Sequence, residues 1–338
     1  MTASLALLAA VLVAVPQTSG VSVRLQAVSA PGNGVVWVSG LGGTFARSLD
    51  SGASWRPGMV LGAEKLELRD IHAVDESTAY ALSSGTGDQS RVFKTTDGGA
   101  SWSLSLENSD PEGFFDCFDF WDEDHGLLYG DSVGGRLVLF ETSDGKTWTR
   151  LPAERLPAAR PGEGGFAASG TCLVTVGDST AYVGTGAGSS RLLRTRDRGR
   201  NWEAFETPIV SAAATAGITS VTFWDEENGI AVGGDIGAPD QKQDNVAVLS
   251  GGSRAARLAA SPVFPGPIYG IAHVPGTNPP ALVAVGPKGA AYSLDSAQTW
   301  MPLSEDSYWS VGFDSSSEGG VGWMVGPEGR ISRLEVRN

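Results

Sequence analysis

Five short stretches of this 338-residue chain are variations on one turn: Ser48 to Trp55, Thr95 to Trp102, Thr142 to Trp148, Thr195 to Trp202 and Ser293 to Trp300. Each follows Ser/Thr-x-Asp-x-Gly-x-Ser/Thr-Trp, with one residue fewer in the third copy, Asn201 in place of the second Ser/Thr in the fourth and Ala297 in place of the glycine in the fifth. The tryptophans are 47, 46, 54 and 98 residues apart, so the last gap is two repeats of 49 with one copy worn away. A fixed period of this size belongs to an array of supersecondary units that bury a core only by stacking on one another.

Each turn closes a unit of similar plan. In the second unit, short strands are expected at Asp70 to Val74, Ala79 to Leu82 and Arg91 to Thr95, with Trp102 opening a fourth. Runs of this length bounded by Gly, Asp and Ser are the usual strand signal. Seven units begin near Arg24, Arg69, Asp116, Thr171, Thr219, Tyr269 and Trp309. The expected fold is therefore all-β, a seven-bladed β-propeller of four-stranded antiparallel blades spanning residues 21–338. The fifth unit keeps only Ser250 to Ser253 where its turn should be, and the seventh stops after a third strand at Gly329 to Val336. Its fourth strand is expected from the N-terminal side, near Val21 to Arg24, which would close the ring and remove exposed sheet edges.

The turn chemistry is architectural. An aspartate side chain accepts hydrogen bonds from backbone N–H groups further along and holds a hairpin turn. Glycine supplies a positive φ. Tryptophan offers a large apolar face beside the turn or between blades. Structural roles are expected for Asp50, Trp55, Asp97, Trp102, Asp144, Trp148, Asp197, Trp202, Asp295 and Trp300. Their spacing distributes them around a ring, so they do not converge on one substrate.

The net charge of −14, from 24 basic and 38 acidic side chains, argues against nucleic acid, whose binding rests on phosphate neutralisation. It also argues against an anionic lipid surface. Leu5 to Val15 is an unbroken Ala/Leu/Val run, too short for the roughly 20 residues of a membrane span. Followed by Pro16, Thr18 and Gly20, it reads as a secretory leader over residues 1–20, cut after Gly20. Export to the periplasm or beyond is expected, without stable membrane insertion. No cysteine follows the run, which argues against a lipid anchor.

The turns are those of the Asp-box, or bacterial neuraminidase, repeat. Together with the Trp121-Asp122-Glu123 and Trp224-Asp225-Glu226 turns and the later Gly-x-x-Gly-x-Ile/Val strands, they resemble the photosystem II stability/assembly factor-like branch of these propellers, over about residues 22–338. The resemblance implies an assembly chaperone with an arginine-rich binding surface. Arginines do cluster in the fourth unit, at Arg191, Arg194, Arg196, Arg198 and Arg200. Sialidases, large glucanases and sortilin-type receptors carry the same box.

Enzymatic chemistry finds little footing. A sialidase resemblance would ask for Arg-x-Pro before the first box, and Arg24-Leu25-Gln26 has Gln where Pro is expected. His72, His125 and His273 fall in different units without ligand spacing, so no metal and no cofactor are expected. Cys117 and Cys172 occupy equivalent positions in neighbouring first strands. Equivalent positions point from the same sheet face, so two buried thiols are expected. The candidate binding residues sit at the channel mouth, where first strands begin: Arg69, Asp70, Asp116, Asp119, Thr219, Tyr269, Tyr308 and Trp309. The resulting expectation is an exported, monomeric, non-enzymatic propeller that binds a protein partner. The alternative is a glycan-binding or sialidase-like propeller.

Overall fold

The computed structural model describes residues 11–316 and 320–337. They form seven four-stranded antiparallel sheets arranged as blades. Blade 1 runs Leu25–Gly32, Val35–Gly40, Thr44–Ser48 and Arg56–Met59; blade 2 runs Glu67–Ala73, Ala79–Ser84, Arg91–Thr95 and Ser103–Glu107. Blade 3 runs Phe115–Phe120, Gly126–Val133, Arg136–Thr142 and Trp148–Arg150; blade 4 runs Leu173–Val176, Thr180–Gly184, Arg191–Thr195 and Glu203–Glu206. Blade 5 runs Ala216–Phe223, Gly229–Asp235, Val246–Ser250 and Ala255–Leu258; blade 6 runs Gly270–His273, Leu282–Gly286, Gly289–Ser293 and Met301–Ser304. Blade 7 contributes Ser310–Phe313, Gly322–Val325 and Arg330–Arg337. Consecutive first strands pack against each other around the whole ring. Among the described residues, no helix is long and apolar enough to cross a membrane.

The second strands carry the core because they are covered on both faces. Val35–Gly40, Ala79–Ser84, Thr180–Gly184 and Leu282–Gly286 are buried at every position. Fourth strands lie on the rim, and that of blade 2 is exposed or half-exposed throughout. Apolar clusters bridge neighbouring blades, so each blade is stabilised by the next, as expected of a stacked array.

The five boxes take the expected form. Asp50 Oδ1 accepts from Ser54 N at 2.8 Å and from the Ser48 hydroxyl at 2.8 Å, while Ser48 Oγ accepts from Gly52 N at 2.8 Å. Asp97, Asp197 and Asp295 repeat the arrangement. In blade 6, Ala297 stands where other boxes have glycine and is held at φ 66°. The tryptophans work between blades. Trp148 of blade 3 donates to Ser105 of blade 2 at 3.2 Å, and Trp300 of blade 6 donates to the Ala260 carbonyl after blade 5 at 2.8 Å. Trp102 of blade 2 stacks edge-on against Trp37 and Phe45 of blade 1.

The closing strand is Val11–Thr18, antiparallel to Arg330–Arg337 with Val11 opposite Arg337 and Thr18 opposite Arg330. This corrects the expected position at Val21 to Arg24, and the reason is distance. The fourth strand lies three strand spacings, roughly 14 Å, from the first. A chain must cross that gap before starting blade 1 at Leu25, which takes about 4–6 extended residues. Ser19 to Arg24 make the crossing. Val11 to Val15, the end of the apolar run, therefore belong to blade 7; the rest of the run, up to Ala10, lies outside the described residues.

Cys117 and Cys172 form a disulfide with a Cα–Cα distance of 5.9 Å, which corrects the expectation of two thiols. The equivalence assumed between their positions fails. The pairing of Phe115–Phe120 with its neighbour slips between Phe115 and Cys117, re-aiming the Cys117 side chain. Cys172 lies one residue ahead of its strand, where Gly184 N donates to its carbonyl at 2.8 Å.

Candidate functional site

First strands start on one face of the ring, and their leading residues form a continuous half-buried arc there. Just before blade 1, Arg24 lies over the Trp309 ring, 4.9 Å from its centroid. Tyr269 meets Trp309 edge-on at 5.1 Å. On the other side, Arg24 reaches Glu67 of blade 2 at 3.4 Å, and Glu67 also accepts from Arg69 at 2.6 Å. Arg69 in turn lies 6.0 Å from the Phe114 ring centroid. The arc thus joins blades 6, 7, 1, 2 and 3 through two guanidiniums, one carboxylate and three aromatic rings. Burial lowers the Arg24 pKa, partly countered by Glu67, so desolvation strengthens the demand of this guanidinium for an anionic neighbour.

The floor of this mouth is a segment that repeat counting does not predict. Between blades 3 and 4 the chain turns inward over residues 164–171 and occupies the channel. The Ala167 carbonyl accepts from Gln26 of blade 1 at 3.3 Å and from Arg69 of blade 2 at 3.5 Å. The Ser169 carbonyl accepts from Ser310 of blade 7 at 3.0 Å. Thr171 shares a 2.6 Å hydrogen bond with Ser220 of blade 5. Small residues are required because the walls are close. A Cβ on Gly170 would sit 2.2 Å from an Asp70 oxygen, and one on Gly164 would sit 1.9 Å from an Asp131 oxygen. The one sequence signal was the gap of 54 residues between Trp148 and Trp202, longer than its neighbours of 46 and 47.

The eight residues expected at the mouth part company. Arg69, Tyr269 and Trp309 belong to the arc. Asp116 is buried beneath the plug, facing the N–H groups of Gly165 and Ala167. Asp70 is buried between blades, accepting from Ile71 N at 2.7 Å and from Phe118 N of blade 3 at 2.9 Å. Asp119 lies towards the far end of its strand, where it binds His72 of blade 2 at 2.9 Å and Thr175 N of blade 4 at 2.8 Å. Thr219 donates to the Ile268 carbonyl and is fully buried. Tyr308 is buried against Ser332 at 2.9 Å. Asp70 and Asp119 are therefore staples between blades, as are Ser29, which accepts from Ala73 N, and Ser220, which accepts from Ile271 N. Arg24, Glu67 and Phe114 complete the arc and were not on the expected list.

The carboxylates set a pH profile. Burial raises the pKa values of Asp70 and Asp116 well above 3.8 and that of Asp131 above it. The folded chain then holds protons that the unfolded chain has released, so stability rises as pH falls from neutrality towards 3.8. The box carboxylates act oppositely. Hydrogen bonds from the turn lower Asp97 and Asp144 to about 2, so their contribution is present above 3.8 and lost as pH falls through about 2. His273, lowered by burial, resists protonation and opposes the first trend below 6.5. With two carboxylates shifted far upward, maximum stability is expected in mildly acidic solution. Urea midpoints measured from pH 2 to 8 that rise steadily to neutrality would refute this account.

No family model matches the chain. Over 145 residues, 42% of its length, it is 30% identical to the photosystem II assembly lipoprotein Ycf48 of a Synechococcus species (strain CC9902); the match spans 38% of that relative. The fold matches that of YCF48 bound to D1 peptide with a TM-score of 0.65 at 15% identity, covering 97% of each chain. The chain is an Asp-box β-propeller, similar over less than half its length to this assembly lipoprotein. A GH74 xyloglucanase from Xanthomonas campestris also matches, with a TM-score of 0.66 at 14% identity over 94% of this chain and 53% of that one. At that identity the likeness is one of fold alone.

In this propeller the blade 4 arginines do not form a single surface. Arg191 is buried in an ion pair with Glu163. Arg194 is buried, pairs with Glu203 and stacks over Phe205. Arg196 pairs with Glu227 across to blade 5. Arg198 lies over Trp121 and pairs with Asp122, and with Arg200 it lines a cleft of about 570 Å³ between the boxes of blades 3 and 4.

Proposed function

We propose that the chain is an exported, non-enzymatic propeller that binds an extended segment of a partner protein across the arginine–aromatic arc. The observation carrying this reading is the arc itself: Arg24 and Arg69 share one carboxylate, Glu67, and are flanked by Trp309, Tyr269 and Phe114 above a closed floor. A carboxylate on the partner would replace Glu67 between the guanidiniums, forming charge-assisted hydrogen bonds in a partly desolvated setting. Apolar and aromatic side chains of the partner would stack on the three rings. The likeness to Ycf48, one of whose structures contains a D1 peptide, supports a protein segment as ligand. The buried disulfide supports an oxidising compartment. Asp70 and Asp116 are enclosed by walls and plug, which disfavours their use as paired carboxylates on a sugar.

Affinity capture from the native envelope, read by mass spectrometry, tests the reading. Arg24→Glu combined with Arg69→Glu is expected to lower recovery of the captured partner at least tenfold without shifting the urea midpoint of the fold by more than a small amount. Undiminished capture by the double variant, or a protein that captures nothing and cleaves or binds glycans instead, would overturn it.

A further inference from the structure

The strand that completes blade 7 comes from the opposite end of the chain, whereas every other outer strand follows its neighbour directly through a turn. Val11–Thr18 pairs along its whole length with Arg330–Arg337, but few of its side chains are anchored. Leu12 is buried among Val283, Val285, Tyr292, Met324 and Leu334, with Ala14 half-buried beside it. Val11 is half exposed, and Gln17 accepts from Trp55 of blade 1 at 3.3 Å.

The inner seam closes without this strand. Gly329 N donates to the Val23 carbonyl at 2.6 Å, and Leu25 N donates to the Gly326 carbonyl at 2.9 Å. Leu25, Val36, Trp323, Val325 and Ile331 form one buried cluster across blades 7 and 1. A break after Gly20 would thus leave the inner seam in place. It would uncover the outer edge of Arg330–Arg337 together with the apolar sites of Leu12 and Ala14.

We propose that Val11–Thr18 is a removable clasp, and that the strand Arg330–Arg337 beneath it is an acceptor site for an extended aliphatic segment of a partner protein. The segment would add as a fourth strand, its main chain satisfying the edge N–H and C=O groups and its alternate side chains filling the two apolar sites, as in strand addition generally. Pro16 lies on this edge strand, where a residue without an N–H is tolerated, as Pro57 and Pro302 do on the outer strands of blades 1 and 6. The proposal rests on the export reading, because leader cleavage after Gly20 would leave the mature chain without Val11–Thr18 and the edge of Arg330–Arg337 open.

The test uses the full chain carrying a protease recognition site between Gly20 and Val21, folded first and then cut. A fluorescent peptide of the Val11–Thr18 sequence is titrated against cut and uncut protein and followed by anisotropy. Saturable binding to the cut protein only is expected, weakened about tenfold or more when the peptide carries Leu12→Asp. Equal binding to uncut protein, or no exchange into the cut protein, would overturn the proposal. So would a cut protein that loses its cooperative melt, because the seam would then depend on the clasp. A doubling of mass on cutting would assign the edge to a second copy of the chain instead. Arg24→Glu with Arg69→Glu should leave this binding unchanged, so failure of the acceptor site and failure of the arc are read separately.

Discussion

Replacing Glu163 with alanine is expected to lower the unfolding free energy by about 3–5 kcal/mol, the usual cost of stranding one partner of a buried ion pair. Glu163 is fully buried, and Arg191 almost so. The carboxylate accepts from Arg191 Nε at 2.8 Å, from the Ser189 hydroxyl at 3.0 Å and from Arg160 N at 2.9 Å. Burial alone would raise its pKa, but these donors hold it below the ordinary carboxylate value. Glu163 stands immediately before the segment that fills the channel, so the loss has a local readout as well. Amide exchange of Gly164 to Gly170 should accelerate more than that of the blade cores. Double substitution of Glu163 and Arg191 by apolar residues of similar volume should recover much of the stability, because it leaves no orphaned charge. A Glu163→Ala protein with an unchanged urea midpoint would contradict this account.

Loss of the disulfide is expected to have a comparable effect. Cys117 and Cys172 close a loop of 55 residues, for which chain entropy suggests roughly 4 kcal/mol. Cys117→Ser with Cys172→Ser should lower the urea midpoint accordingly, and reductant should lower the melting temperature of the parent chain while leaving the double variant unmoved. Equal sensitivity of both proteins to reductant would show that the bond is not the cause. Cys172 follows Thr171 directly, so ion pair and disulfide bracket the two ends of the plug. The floor beneath Arg24 and Arg69 is therefore fixed by two strong local constraints, and weakening either one should also weaken partner capture at the arc.

The architecture could be read from the sequence because its signals are local and repeated. An aspartate, a residue able to take positive φ and a tryptophan define each box within eight residues, and the period of 46 to 49 counts the blades even where blade 5 has lost its box. Strand starts read from that period fall within three residues of those observed. Tertiary structure decided whatever depends on pairing between distant segments. Which N-terminal residues close the ring followed from the width of a blade, which Ser19 to Arg24 must cross. Whether two cysteines meet turned on a one-residue slip beside Cys117. Whether an aspartate at a strand start faces a partner or a neighbouring blade depended on what filled the channel, and the plug placed Asp70 and Asp116 in the interior while leaving Arg24, Glu67, Arg69, Phe114, Tyr269 and Trp309 at the surface. A repeat fixes the spacing of its own turns; the contents of its central channel come from one irregular insertion, to which that period is blind.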